Sequence, residues 1–228
     1  TPVPPGQVVG GGDTATISFL QLLSRLSFPT TVTVVPMRRL QSWLSHRLLQ
    51  VLSLTRSIFS SLPSKTLFTL PIGSLRRLRR RVRSSDYDYI IINGGELLFL
   101  TSFLPPKQVA VGIEHNVEFL LFAEMTQRLR KYPLISPLFE RDLAKLTQTE
   151  QAGWHAVRNV ICLSSSDASL IEKMEPAIRT LTLPTSFSYP PYRRPKDRPI
   201  GNPLRLGFLA KFSWWPNVEA VEWFINQI

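Results

Sequence analysis

The chain holds one cysteine, Cys162, a scarcity that excludes an internal disulfide and any cysteine-rich zinc site. Cys162 stands in the apolar run Val160-Ile161-Cys162-Leu163, which predicts buried packing rather than catalysis, and a reducing cytoplasm is the expected setting. No apolar run approaches the roughly 18 residues that a bilayer-crossing helix requires. There is no initiator methionine, and the first residues do not read as a signal peptide, so the chain is expected to begin inside a longer protein. Acidic residues are in short supply. Against 27 Lys and Arg stand 16 Asp and Glu, a net charge of +11 that favours an anionic partner: nucleic acid, a phospholipid surface or a phosphorylated substrate. Hydrophobic residues make up 43% of the 228, which excludes disorder and suffices to bury one core and begin another.

What is present alternates between strand-like and helix-like runs. Residues 13–27 carry an apolar stripe at helical spacing (Ile17, Leu20, Leu23), and residues 39–61 repeat Leu and Ile in the same way. Val32 to Val35 is a β-branched run and therefore a predicted strand. Tyr89 to Ile92 reads as a buried strand ending at Asn93-Gly94-Gly95, with a short helix over 96–103 and another strand over Gln108 to Ile113. Residues 117–131 and 134–152 read as helices punctuated by Pro133 and Pro137. A strand over Val157 to Leu163, a helix over Ser166 to Met174 and a strand over Ile178 to Leu183 follow. Short apolar strands alternating with helices predict a doubly wound α/β domain whose parallel sheet is covered on both faces. No strand precedes Gly10-Gly11-Gly12, so the first strand of that domain is expected upstream of Thr1.

Composition then divides the chain. Residues 1–184 form the first domain. Residues 185–203 carry Pro190, Pro191, Pro195, Pro199 and Pro203 and read as an interdomain linker. Residues 204–228 read as the truncated start of a second domain, with a strand over Leu204 to Ala210 and a helix from Asn217.

Four segments carry chemistry. Glycines 10 to 12 before a helix let backbone N–H groups approach a ligand, or serve only as a flexible loop. Glu114-His115-Asn116 follows a strand end, where open α/β sheets bind ligands; a histidine there can hydrogen-bond a hydroxyl, carry a proton, or simply satisfy loop backbone. Glu150 precedes Ser164-Ser165-Ser166-Asp167, which is first of all a helix-capping box. Finally Leu206 to Phe212 leads into Trp214-Trp215-Pro216-Asn217, with Lys211 in the connecting loop.

Taken in order, these segments resemble glycosyltransferase family 4, of the two-domain GT-B type, over nearly the whole chain. The match rests on the glycine pair Gly11 and Gly12, on His115-Asn116-Val117-Glu118, on Glu150 with Ser164 and Asp167, on the turn at Pro184, and on Trp214 to Phe224. Thr185 and Ser186 replace the Asn-Gly usual after that proline. Lys211 stands at the first of the family's two basic positions, while Asn217 occupies the second, and no Glu-x7-Glu pair is present. The resemblance implies two Rossmann-like domains and transfer of a sugar from a nucleotide-sugar to a sugar, lipid-linked or polysaccharide acceptor, with retention, no metal, and no cofactor beyond the co-substrate. It implies that His115 is catalytic and meets the donor sugar, that Gly11, Gly12 and Lys211 lie at the diphosphate, and that Glu114, Asn116 and Glu118 line the acceptor side or cleft. This fragment alone is expected to be inactive.

Arg76, Arg77, Arg79, Arg80, Arg81 and Arg83 crowd into eight residues with no acidic partner between them. Six in that span are not expected to share one helix face. No interleaved aromatics accompany them, so nucleic acid is not the expected partner. An anionic membrane patch is, with the protein cytoplasmic or peripheral on the membrane's inner face. The alternative function is a basic, non-catalytic module binding such a surface or nucleic acid.

Overall fold

The computed structural model describes residues 11–33, 43–70, 72–84, 86–106, 108–185, 206–210, 212 and 215–228. The chain divides into two compact units, Thr1–Ser186 and Phe187–Ile228.

The first unit is built on a four-stranded parallel sheet in the order β1 (Tyr89–Asn93), β2 (Val109–Glu114), β3 (Asn159–Cys162) and β4 (Arg179–Thr182). β-Branched and apolar residues dominate the middle of each run, which suits a pleated, buried surface. Register is continuous: Ile92 pairs with Gly112, Gly112 with Val160, and Val160 with Thr180. Neighbouring strands run parallel, so each connection must cross the sheet. A 3₁₀ helix, Gly95–Phe103, joins β1 to β2. Helices α5 (Glu118–Leu129) and α6 (Ser136–Val157) join β2 to β3, and α7 (Ser165–Met174) joins β3 to β4. Before the sheet come α1 (Gly11–Arg25), α2 (Trp43–Ile58), α3 (Ser64–Thr69) and α4 (Ile72–Arg83).

Alternation along the strands sends Ile92, Ala110, Glu114, Val160 and Cys162 to one face, where all five are buried beneath the 3₁₀ helix, α6 and α7. Trp154, Leu98 and Ile171 complete that core with no exposed surface, and each such side chain contributes about 2–3 kcal/mol through burial. The serine cap at α7 is formed: Ser164 Oγ accepts from the Asp167 backbone N–H at 3.1 Å.

Three expectations need correction. The sheet is not covered evenly on both faces: Tyr89, Ile91, Val109 and Leu181, on the face opposite the core, are all exposed. The strand expected from Val32 to Val35 is absent at Val32 and Thr33, while Val34 and Val35 lie outside the described residues. In the second unit, residues 206–210 form no strand; Leu204 and Arg205 lie outside the described residues, as do linker residues 186–203. α8 (Trp215–Gln227) does form. No helix among the described residues is long and apolar enough to cross a membrane.

Candidate functional site

β1 and β2 end side by side, and their carboxyl ends bring together the side chains of greatest chemical interest. Gly94, at φ 109°, turns the chain out of β1 in a conformation that side-chain-bearing residues rarely adopt, and its N–H donates to the Ile113 carbonyl at 3.0 Å. Asn93, the last residue of β1, is buried; its amide nitrogen donates to Thr16 Oγ1 on α1 at 2.6 Å. That orientation turns Asn93 Oδ1 toward His115, whose Nε2 lies 2.7 Å away and therefore carries the hydrogen. The half-buried ring of His115 is thus held across the ends of two strands by an amide that is itself anchored to α1.

Beneath this turn lies a layer of buried charge. Glu114 has no exposed surface and Glu150 only 1%. The Trp154 indole N–H donates to Glu114 Oε1 at 2.7 Å, whereas Glu114 Oε2 is buried and has no hydrogen-bond partner among the described residues. Glu150 accepts the backbone N–H groups of Glu118 and Phe119, at 2.8 and 3.0 Å, and so caps α5 from a distance in sequence. Both carboxyls converge on Gly95. A Cβ built there would meet Glu114 Oε2 at 2.6 Å and Glu150 Oε1 at 3.0 Å. Lys65 of α3 pairs with Glu118.

Burial, and after it the charge of Glu150, holds the Glu114 carboxyl well above its ordinary value of 4.5, although the Trp154 bond pulls the other way. Glu150 is raised to about 7, because burial outweighs its two backbone donors and Lys65. Cys162, paired with Glu114 in the strand register, is pushed up to about 12 by burial first and Glu114 second, which leaves it an inert thiol. Among the described residues, no group of three or more His, Cys, Asp or Glu side chains converges as metal ligands would.

The residues singled out by sequence therefore separate. His115 stands at the carboxyl edge, directly after β2, which runs one residue further than expected. Glu114 is corrected from a cleft residue to a core one: as the last strand residue, its side chain alternates inward. Asn116 is exposed, and Glu118 is half-buried in its ion pair with Lys65. Gly11 and Gly12 open α1 instead of preceding it, and Lys211 lies outside the described residues. Of the six arginines on α4, Arg76, Arg77, Arg80, Arg81 and Arg83 are exposed, while Arg79 is half-buried with its guanidinium 4.6 Å from the Phe103 ring centre. They do not all share one environment, as expected from their spacing.

Asn93, Lys65 and Trp154 were missed. Asn93 had a signal, a polar residue closing an apolar strand before two glycines; the other two meet their partners only through the fold. A cavity of about 590 Å³, lined by residues including Asp86, Tyr87, Tyr89 and Gln108, opens at the amino ends of β1 and β2. Ligands of open parallel sheets gather at the opposite end, so the His115 edge remains the candidate site. No family model, no curated protein and no solved structure matches this chain.

Proposed function

We propose that this chain supplies the acceptor-side domain of a retaining glycosyltransferase that uses a nucleotide-sugar donor, with His115 facing the donor sugar. The observation that carries the reading is the His115–Asn93 bond at the carboxyl edge of a parallel sheet. A ring fixed there in one tautomer can hydrogen-bond a sugar hydroxyl, and it needs no reorganisation as charge develops at the reacting carbon. The order of motifs along the chain supports the same reading. So does the place of α1: Thr16 ties it to Asn93, and Gly11 begins the helix five residues earlier, about 8 Å along the axis. The amino end of that helix carries partial positive charge, which suits a leaving diphosphate.

The test assays the full-length protein for nucleoside diphosphate release across a panel of nucleotide-sugars. Acceptor-dependent release that falls roughly 10²-fold or more in His115→Ala, with the melting temperature nearly kept, is the expected result. Release by no donor, or a variant that loses stability while keeping activity per folded molecule, overturns it.

A second reading, docking on an anionic membrane surface, is favoured by α4. That helix buries Ser74 and Leu78 and leaves five arginines exposed. The two readings are compatible in an enzyme whose acceptor is lipid-linked.

A further inference from the structure

The Glu114–Glu150 pair stands apart from sugar transfer and carries an inference of its own. Four carboxylates occupy one neighbourhood: Glu96 on the 3₁₀ helix, Glu114 on β2, Glu118 on α5 and Glu150 on α6. Among the described residues the cation facing them is Lys65 of α3, already paired with Glu118; Cys162 on β3 stays neutral beside Glu114, and Trp154 on α6 gives its N–H. His115, next in the chain, turns its Nε2 to Asn93. The two innermost carboxyls are sealed from water and press on the same glycine. Glu150 accepts two backbone N–H groups, which favours its charged form. Glu114 has one oxygen on the indole and one that finds no donor among the described residues. Two adjacent charges cannot both be sustained in so dry a place.

We propose that Glu114 holds a proton beside Glu150, and that this proton is a latch keeping the β2–α5 turn, with His115 in it, closed on the sheet. When the proton leaves to solvent, Glu114 and Glu150 become like charges against Gly95. The repulsion is relieved by releasing the first turn of α5 from Glu150, which loosens residues 115–119. The sign follows from which state holds the proton. A carboxyl raised in the folded chain keeps a proton that the unfolded chain gives up near pH 4.5, so its stabilising effect is complete below that pH and is lost as pH rises through the folded value. The closed turn therefore belongs to acidic and neutral conditions, and opening belongs to alkaline ones.

Amide hydrogen exchange on the whole chain reads the latch without any assay of activity. Protection factors at Glu118 and Phe119 should fall by about tenfold or more as pH is raised above about 7, where Glu150 has itself ionised, into the alkaline range. In Glu114→Gln, which keeps the shape of a protonated carboxyl and cannot ionise, they should stay high and flat over the same range. Wild-type protection that does not change, or a Glu114→Gln chain that loses protection just as the wild type does, overturns the proposal. Should that variant fail to fold, carbon NMR of glutamate-labelled wild-type protein decides. A Glu114 carboxyl titrating well above the ordinary glutamate value supports the latch, and one titrating at that value sinks it.

Discussion

Gly95 shows how a residue with no side chain can be fixed by what its neighbours need. The space a methyl group would occupy is already filled by Glu114 Oε2 at 2.6 Å, and Glu150 Oε1 stands 3.0 Å from the same point. Neither carboxyl can swing clear, since one is bound to Trp154 and the other caps α5. Gly95→Ala should therefore cost about 1–3 kcal/mol, read as a fall in the urea midpoint at unchanged slope. Adding Glu114→Asp, which withdraws the carboxyl by one methylene, should return part of that loss. Strictly additive losses would place the strain elsewhere. His115 offers a contrast at the same scale. Its ring touches Asn93 and lies half-buried at the sheet edge, so truncating it should remove little core and much activity.

At the scale of elements, α6 organises the unit by ending other helices. Asp142 accepts from the Ser64 backbone N–H at 2.9 Å and from the Ser64 hydroxyl at 2.5 Å, at the amino end of α3. Lys145 donates to the Ser57 and Ser60 carbonyls at the carboxyl end of α2, and Glu150 caps α5. Each charge has the sign that the helix dipole asks for. Asp142 is only 1% exposed, so Asp142→Ala strands donors in a buried place and should cost about 1–3 kcal/mol. A change under 0.5 kcal/mol (about the size of a neutral surface substitution) would show that water replaces the cap. This layer also marks how far sequence reading reached. Ser164 and Asp167 were legible as a cap because both partners sit within three residues, and β1 was legible because Ile90 to Ile92 is uniformly β-branched. Asp142 and Ser64 lie 78 positions apart, and nothing local in either announces the other. Separation in sequence likewise hid the roles of Glu150 and Lys65, while α3 escaped as a helix of only six residues and α4 because its arginines were read first as a charge cluster, although Leu75, Leu78 and Val82 recur at helical spacing. The apolar strands were read as covered on both faces, yet Tyr89, Ile91 and Leu181 stand exposed; strand composition reports what suits burial, and only the packing of helices decides which face receives it.

At the scale of the whole molecule, α4 gathers six of the 27 Lys and Arg that lie behind the net charge of +11. Leu78 and Ser74 anchor that helix, and it packs on the 3₁₀ helix, where Arg79 and Arg83 lie over Phe103 at 4.6 and 5.2 Å. Arg79 is thus half-buried against the ring, Arg83 lies over it while staying exposed, and Arg76, Arg77, Arg80 and Arg81 remain turned to solvent. An anionic bilayer draws each such residue with about 1 kcal/mol, an attraction that fades over a Debye length. Four together would hold the protein at the surface with no apolar anchor, and would do so reversibly. Replacing these four by Gln keeps helix propensity close to that of arginine, so the helix and its buried face should persist. Binding to vesicles containing phosphatidylserine should then weaken roughly 10²- to 10³-fold, measured by co-sedimentation. Raising salt should weaken the wild type strongly and the variant little, because the variant has fewer charges left to screen. If α4 were instead only a solvated helix face, the variant would bind as the wild type does at every salt concentration. Equal binding to neutral phosphatidylcholine vesicles would point to the exposed apolar face of the sheet as the adhesive surface, and would remove the arginines from the account of where this protein works.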